Sequence, residues 1–360
     1  MNILFVFYVP SGGVETLNRQ RCKALKKYNI NADCLYYENR KKTINDHGTQ
    51  TGTQTFVTNE DTEIKKILND GNYSLVVIVS DFQALPRFKS LGYRGKMIIE
   101  IQGYGPKSTA RAALTNAVPL VTKYASGFLN PKTPHIMQLL DELYPSFPVF
   151  SFNNCFDTNE FSYRSVPESH TPHIAWIGRI EDNKNWREFL KIGSELVHNY
   201  NSGIQLHMFE DPTISEPKER AEFKNLIKEL NLEANLLLHA NVPNNEMANY
   251  FSMIGESGGF LCSTSKVEGA PYSLLEAMSC KCPVLTTDSD GVKSSIIHNQ
   301  TGKYYTLGNV DEAVKEAKEL IMDSQLREYI RKNALQHVKI NFSPELYCAN
   351  FIAMIRSLGI

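Results

Sequence analysis

The chain has 360 residues, 42% of them hydrophobic and 21% charged, with a formal net charge of −1. That length exceeds one ordinary core and suits two domains, and the composition is that of a soluble globular protein. The charge balance argues against a dedicated nucleic-acid binder, which needs a basic surplus, and the seven cysteines, an odd set with no Cys-x-x-Cys pair, read as reduced thiols rather than a disulfide scaffold.

Residues 3–9 (Ile-Leu-Phe-Val-Phe-Tyr-Val) read as a buried first strand. No basic residue precedes them and no small-residue cleavage site follows, so they do not fit a secretory signal. With no apolar run of membrane-spanning length, a cytoplasmic location is expected. Pro10-Ser11-Gly12-Gly13-Val14-Glu15 joins this strand to a helix carrying Leu17, Ala24 and Leu25. Its two glycines allow backbone approach to a phosphate or an acceptor, or simply a tight turn. The loop lacks the Gly-x-Gly-x-x-Gly spacing of a dinucleotide site, which disfavours a dehydrogenase. Arg19, Arg21, Lys23, Lys26 and Lys27 on the helix, with Arg40-Lys41-Lys42 soon after, form either a solvated face or a basic patch for an anionic membrane or polymer.

Residues 74–80 and 97–101 are short β-rich runs, the second leading into Gln102-Gly103-Tyr104-Gly105. His135 and His170 read as surface residues. The polar, proline-containing stretch 164–172 marks a domain boundary, after which strand-like runs restart at 173–177, 204–209, 236–239, 259–263 and 283–287. Strands alternating with helices predict parallel sheets with crossover connections. Residues 343–358 form an amphipathic terminal helix with Phe351, Met354 and Ile355.

Two segments of the second half carry the chemistry. Gly178-Arg179 and Lys184 lie between a strand and a helix, and two cations five positions apart can flank one diphosphate. A solvated loop is the alternative. Neutralising phosphate charge is the main task when a nucleoside diphosphate departs. Further on, Gly269, Ala270 and Pro271 break regular structure, and Leu274, Leu275 and Met278 then recur at helical spacing. Glu268 is therefore placed on a loop and Glu276 about a turn inside a helix. The amides from Ala270 to Leu274 read as unpaired and outward-facing, an anion site at a helix N-terminus. A diphosphate could sit there between carboxylates that accept from sugar hydroxyls, although the bare spacing also suits solvated charges favoured by the helix dipole. Cys280-Lys-Cys282 lacks partners at zinc-like spacing, and Asp288-Ser-Asp290 spells a metal-binding Asp-x-Asp at a turn; no metal site is expected.

The run Glu268-Gly-Ala-Pro-Tyr-Ser-Leu-Leu-Glu276-Ala-Met, followed by Cys282-Pro283-Val284-Leu285-Thr286-Thr287, resembles the Glu-x7-Glu signature of the retaining glycosyltransferases of family four. Gly178-Arg179 with Lys184 matches that family's Gly-Arg-x4-Lys, and residues 153–161 are similar to its Asn-Gly-Val-Asp stretch, with Cys155 where glycine is common. The resemblance implies the α/β GT-B fold, two Rossmann-like doubly wound domains facing a central cleft. Residues 1–165 would bind the acceptor and 166–342 the nucleotide-sugar, and the helix 343–360 would cross back to the first domain.

Carried onto these positions, the resemblance makes Arg179, Lys184 and Glu268 the catalytic set, the cations on the pyrophosphate and Glu268 on the donor sugar. Glu276 takes the ribose hydroxyls, and Gly269, Ala270, Tyr272, Ser273 and Leu274 complete the phosphate cradle. Val242, in the loop 239–243, lies at the nucleobase. Gly13 and Gln102 reach the donor, and Gly12, Glu15 and Tyr104 lie on the acceptor side. Two departures stand out: residues 208–212 replace a usual Gly-x-Gly turn, and Gln102 stands where histidine is frequent. Glutamine cannot titrate near neutrality, which favours front-face retention, with the departing phosphate helping to deprotonate the acceptor.

The implied activity is transfer from a nucleotide-sugar, UDP-linked, to a hydroxyl of a glycan, lipid, protein or small metabolite, with no cofactor. A role in bacterial-type cell-envelope or polysaccharide synthesis is expected with it, and the basic clusters near the first helix allow a peripheral contact at the inner membrane face. A UDP-sugar 2-epimerase and a catalytically silent nucleotide-binding scaffold are the alternatives, the second kept open by Gln102.

Overall fold

The computed structural model describes residues 1–38, 53–167, 169 and 171–360. The basic run Arg40-Lys41-Lys42 and His170 lie outside the described residues. The chain divides into two compact units, Met1–Phe156 with Asn341–Ile360, and Asp157–Ile340.

The first unit is built on a seven-stranded sheet in the order β3-β2-β1-β4-β5-β6-β7. The strands are β1 (Asn2–Phe7), β2 (Asn31–Tyr36), β3 (Thr55–Val57), β4 (Leu75–Val79), β5 (Lys96–Glu100), β6 (Gly127–Asn130) and β7 (Val149–Ser151). Every pairing is parallel. Strands covered on both faces read as continuous apolar runs, which is why Ile3 to Val6 and all of β4 are buried. Helices α1 (Gly12–Lys26), α2 (Asp61–Gly71), α3 (Ala84–Ser90), α4 (Lys107–Tyr124) and α5 (Pro134–Leu143) make the crossovers.

Two sequence expectations change here. Arg21, read as part of a basic helix face, is wholly buried: its Nη1 donates to both oxygens of Glu100 at 2.9 and 2.8 Å, its Nη2 donates to Asn18 at 2.6 Å, and its guanidinium lies 3.6 Å from the Phe5 ring centre. Helical spacing carries it to the sheet side of α1, whereas Lys23, Lys26 and Lys27 stay exposed. His135, expected at the surface, is buried beside Ile136 in the first turn of α5.

The second unit has a six-stranded sheet, order β10-β9-β8-β11-β12-β13, again parallel throughout. Its strands are β8 (His173–Ile177), β9 (Gln205–Glu210), β10 (Leu236–Ala240), β11 (Phe260–Ser263), β12 (Val284–Thr287) and β13 (Lys303–Tyr305). Its helices are α6 (Trp186–Asn199), α7 (Pro217–Glu229), α8 (Asn244–Glu256), α9 (Tyr272–Ser279), α10 (Val310–Met322) and α11 (Ser324–Asn341), α11 ending where the first unit resumes. Trp176, Trp186, Phe189, Phe223 and Phe260 anchor its core. Residues 157–165, assigned from composition to the first domain, lie with this unit, because Phe161 packs edge-on to Phe251 and the Arg164 N–H donates to Ser252 Oγ at 2.9 Å. The terminal helix α12 (Pro344–Ser357) belongs to the first unit, with Phe351 against Phe5 and Tyr347 against Phe152.

Candidate active site

In the second sheet the strand order reverses at β8, which pairs with β9 on one side and β11 on the other. Open parallel sheets bind ligands beyond the carboxyl ends of the strands at such a reversal. The loops leaving β8 and β11 are the two segments that carry Arg179, Lys184 and Glu268.

These loops are joined by a set of hydrogen bonds. The Lys266 N–H donates to Asn183 O at 2.8 Å, Asn183 Nδ2 returns to Val267 O at 3.2 Å, and Lys266 Nζ reaches Asp182 at 2.6 Å. Thr264 Oγ1 is placed to donate to the carbonyls of Lys184 and Asn185 at 2.9 and 3.0 Å, and it accepts from Trp176 Nε1 at 3.0 Å. Buried polar groups of this kind rigidify a site when every member is satisfied. Asn185 takes a left-handed φ of +50°, ending the short turn before α6, and its amide donates to Glu188.

Lys184 Nζ donates to Glu268 Oε1 at 2.5 Å. Its stem crosses the strand end over Gly178, where a Cβ would lie 3.0 Å from Lys184 Cγ and 2.9 Å from the Trp176 ring. Arg179 projects outward, its side chain 55% exposed, and its Nη2 donates to Glu181 Oε1 at 2.9 Å. The pair Lys184–Glu268 is thus held in place, while the second cation is extended toward solvent.

Gly291 supports the same loop from behind. A Cβ there would fall 2.0 Å from the carbonyl oxygen of Glu268 and 2.3 Å from that of Gly269. The Asp288-Ser-Asp290 turn before it carries a structural pairing, Asp290 with Lys293 at 3.8 Å. Among the described residues no group of three or more His, Cys, Asp or Glu side chains is arranged to hold a metal ion.

Helix α9 opens after Pro271, so Tyr272 and Ser273 stand in its first turn with Gly269 and Ala270 just before it. The Leu274 N–H, expected to face outward, turns back onto Pro271 O at 3.3 Å, because the first turn tightens where proline supplies a carbonyl and no N–H. Glu276 is buried, and Asn244 Nδ2 donates to its Oε1 at 3.0 Å. Asn244 is the first residue of α8, directly after the loop holding Val242, which is half-buried. In place of the Gly-x-Gly turn, Asp211 accepts from the Thr213 N–H at 3.0 Å, and Glu210 is clamped by Arg220.

Sequence reasoning missed a histidine ladder on this sheet. His173 Nδ1 lies 2.8 Å from His207 Nε2, and His207 Nδ1 lies 3.0 Å from His239 Nε2. Burial, with the neighbouring His173 and His239, pulls His207 down to about 4. His239 stacks on Phe209 and meets Tyr250 edge-on, just ahead of the 239–243 loop. The signal was a histidine in each of three successive strands.

The first unit holds the remaining expected residues. Gly12 and Gly13 form the exposed first turn of α1 rather than a loop, Gly12 with φ +75°, and Glu15 pairs with Arg19 at 3.8 Å. A helix can start there because only glycine takes that φ without strain. Tyr104 OH donates to Ser80 O at 3.0 Å, and its ring stacks on Phe82. Gln102 Nε2 donates to Glu100 at 2.8 Å and to Asn154 at 3.0 Å, while Asn154 Nδ2 donates back to Gln102 Oε1 at 2.7 Å. Both amide hydrogens of Gln102 are thereby used, leaving it one acceptor lone pair.

Residues 158–337, half of the chain, match the family model described as glycosyl transferases group 1. The chain belongs to this family. Proteins of similar sequence include an uncharacterized glycosyltransferase of Haemophilus influenzae, 26% identical over 155 residues that cover 42% of this chain and 40% of that one. The capsular polysaccharide biosynthesis glycosyltransferase CapM of Staphylococcus aureus is 23% identical over 173 residues, 48% of this chain and 43% of that one. The chain thus matches less than half the length of these curated relatives.

Among solved structures, HepE of Anabaena in complex with UDP and glucose superposes with a TM-score of 0.83 at 16% identity, covering 99% of this chain and 100% of that one. Sucrose-phosphate synthase of Thermosynechococcus elongatus gives 0.82 at 15%, covering 99% and 98%. These likenesses show the fold, so this group 1 glycosyltransferase has the GT-B architecture of two Rossmann-like domains. Among the described residues, no helix is long and apolar enough to cross a membrane.

Proposed function

We propose that the protein is a retaining glycosyltransferase that moves a sugar from a UDP-sugar to an acceptor hydroxyl without a resident metal. One observation carries this reading. Lys184, Glu268 and the start of α9 meet at the strand reversal of the second sheet, on two loops stitched to each other, with Arg179 extended beside them.

In this reading the diphosphate lies between Arg179, Lys184 and the amides opening α9, and Glu276 accepts from the ribose. Glu268 accepts from hydroxyls of the donor sugar. The acceptor oxygen attacks the anomeric carbon on the face the phosphate leaves. The bond to the phosphate oxygen breaks, negative charge grows there, and the acceptor proton passes to that oxygen. Preorganised cations at the point where charge develops lower the barrier most. Gln102 cannot take the proton, which suits a leaving phosphate that does.

The UDP in the HepE complex supports the choice of nucleotide, and the capsular role of CapM supports a polysaccharide or envelope setting. The exposed Lys23, Lys26 and Lys27 suit a peripheral contact with an anionic surface. The acceptor is a hydroxyl-bearing glycan, lipid, protein or small metabolite.

Thermal stability with nucleoside diphosphates, with and without a chelator, tests the donor half of this reading. The expected result is a UDP-selective, chelator-insensitive rise in Tm that Glu276→Ala abolishes; at a hundredfold excess over Kd it corresponds to about 2.7 kcal/mol. Product from a UDP-sugar, examined by NMR, should keep the donor's anomeric configuration. An inverted product or a chelator-abolished shift would overturn it.

A further inference from the structure

The carboxyl edge of the first sheet carries a group of side chains that the donor site does not use. In that sheet the strand order reverses at β1, which pairs with β2 on one side and β4 on the other. A reversal of this kind is where open parallel sheets bind ligands. An aromatic residue follows the end of each of four neighbouring strands: Tyr37 after β2, Tyr8 after β1, Phe82 after β4 and Tyr104 after β5. Tyr8 is 44% exposed, yet its ring is held in place, standing at 72° to Tyr37 at 5.9 Å and at 66° to Phe7 at 5.8 Å. The Tyr104 ring lies parallel to Phe82 at 6.1 Å, and its hydroxyl is anchored on Ser80 O.

Asp81 stands among these rings. Its Oδ1 accepts the N–H groups of Gln83 and Ala84 at 3.1 and 3.3 Å, which fixes the carboxylate at the start of α3. Among the described residues no amide or cation is bonded to Oδ2. Burial, and after it this carboxylate, raises the Tyr8 and Tyr37 hydroxyls above their ordinary value; for Tyr104 the order is burial, Tyr8 and Asp81. The phenols are therefore neutral donors grouped about one anion. Arg87, 5.6 Å over the Tyr37 ring, directs its Nε, Nη1 and Nη2 to Asp61 and Asn59 instead.

Aromatic faces beside hydroxyls and a carboxylate, with the cation turned away, suit a neutral polyhydroxylated ring. The axial C–H groups of a pyranose present an apolar, slightly positive face that matches the negative face of an aromatic ring. Its hydroxyls donate to a carboxylate and exchange hydrogen bonds with phenols. A phosphate, sulfate or carboxylate on the ligand would meet Asp81 as a like charge. Resting on the glycosyltransferase reading above, we infer that Tyr8, Asp81 and Tyr104 form an acceptor subsite for a neutral sugar, which makes the acceptor a neutral glycan. The sugar ring packs on Tyr8, beside the Tyr104–Phe82 pair, and Asp81 accepts from its hydroxyls.

The test presents the full chain, with and without UDP, to an array of neutral hexose and N-acetylhexosamine oligosaccharides alongside phosphorylated, sulfated and uronic-acid glycans. Retention on neutral members is expected. Tyr8→Leu and Asp81→Asn should each weaken it by about tenfold, whereas Tyr8→Phe, which keeps the ring, should retain most of it. Asp81→Asn should also admit phosphorylated glycans that the wild type rejects. Asparagine can still accept the two amides at the start of α3, and an unchanged thermal midpoint of each free variant sets these effects apart from a folding defect. Three results would overturn the subsite: capture of charged glycans alone, neutral capture indifferent to Tyr8→Leu and Asp81→Asn, or retention on vesicles of phosphatidylcholine and phosphatidylglycerol with no glycan bound. No glycan capture beside a normal UDP-induced rise in Tm brings down this inference and leaves the donor reading standing. Capture that depends on Tyr8 and Asp81, in a protein whose Tm no nucleotide moves, keeps the sugar site and overturns the transferase reading with its acceptor role.

Discussion

In the proposed donor site, Lys184 and Glu268 would compete with the substrate for each other. Side chains that touch at 2.5 Å must exchange at least one of these contacts when a diphosphate and a sugar arrive, so part of the binding energy is used to reopen the pair. Glu268→Gln should therefore free Lys184 for the diphosphate and tighten UDP a few-fold, while transfer slows by about 10²-fold through loss of the sugar contact. Parallel loss of UDP affinity and rate, measured by calorimetry and steady-state kinetics, would show that the pair does not compete. Arg179, more than half exposed, gives the opposite pattern. Arg179→Ala should reduce kcat about 10²-fold with KM changed only a few-fold, because its charge acts as the leaving group departs. That these groups lie on loops after two strands was legible in the sequence from the breaks around Gly178 and Gly269. Their pairing was not, because side chains 84 positions apart in the chain meet only through sheet order. Asn244 was invisible for the same reason: an Asn beside a Pro reads as a helix start, and its amide reaches Glu276 only after α8 and α9 pack.

At the scale of elements, most strands with apolar runs were readable, including the mixed β9, and several short or weakly patterned ones were not. Asn31-Ala-Asp-Cys-Leu-Tyr has neither a clean alternation nor a continuous apolar run, yet it is β2, because β1 and β3 satisfy its backbone on both sides. Thr55–Val57 and Lys303–Tyr305 are three residues each, too short for any period to show. The histidine ladder links three strands that were legible one at a time. His207 is held neutral in the fold, well below its ordinary value of 6.5. The unfolded chain then binds more protons, so this contribution to stability is fully present above about pH 6.5 and is lost as pH falls toward 4. At pH 5 the loss is about 2 kcal/mol, and His207→Leu should flatten the fall in Tm between pH 7 and pH 5 even though it lowers Tm at pH 7. A parallel fall in both proteins would place the acid sensitivity elsewhere. Gly291 makes a second demand at this scale. Gly291→Ala should displace the Glu268–Gly269 backbone, lowering Tm and weakening UDP together, because the added methyl overlaps two carbonyl oxygens.

Across the whole molecule, the restart of the strand pattern after the polar linker exposed the two-unit organisation, and the amphipathic last helix was equally plain. The tie between that helix and the start of the chain was hidden, since Arg21, whose Nη1 donates to Tyr347 OH at 3.5 Å, reads as surface charge in a lysine-rich helix. Its guanidinium and the Glu100 carboxylate are 0% and 1% exposed. Removing one partner of such a pair strands the other, which typically costs 3–5 kcal/mol, whereas replacing both by apolar residues of similar size is often neutral. Arg21→Met should accordingly be strongly destabilising in denaturant titrations, and Arg21→Met with Glu100→Leu should recover most of the loss. Additive losses would mean that Arg21 and Glu100 contribute independently and that no stranded charge is at work.

The return of the chain to its first unit also orders its synthesis. Domains emerging from a ribosome fold from the amino end as they become complete. Here the first unit lacks Tyr347 and Phe351 until Asp157–Ile340 has been made, so its Phe5 face waits uncovered through the translation of that whole segment. The first unit is completed only after the second. Its closing contacts include a hydrogen bond from the Phe156 N–H to Phe342 O at 2.8 Å, which brings the outgoing and returning chain side by side. The intervening unit is, in effect, a long insertion whose ends are already spliced together in the host.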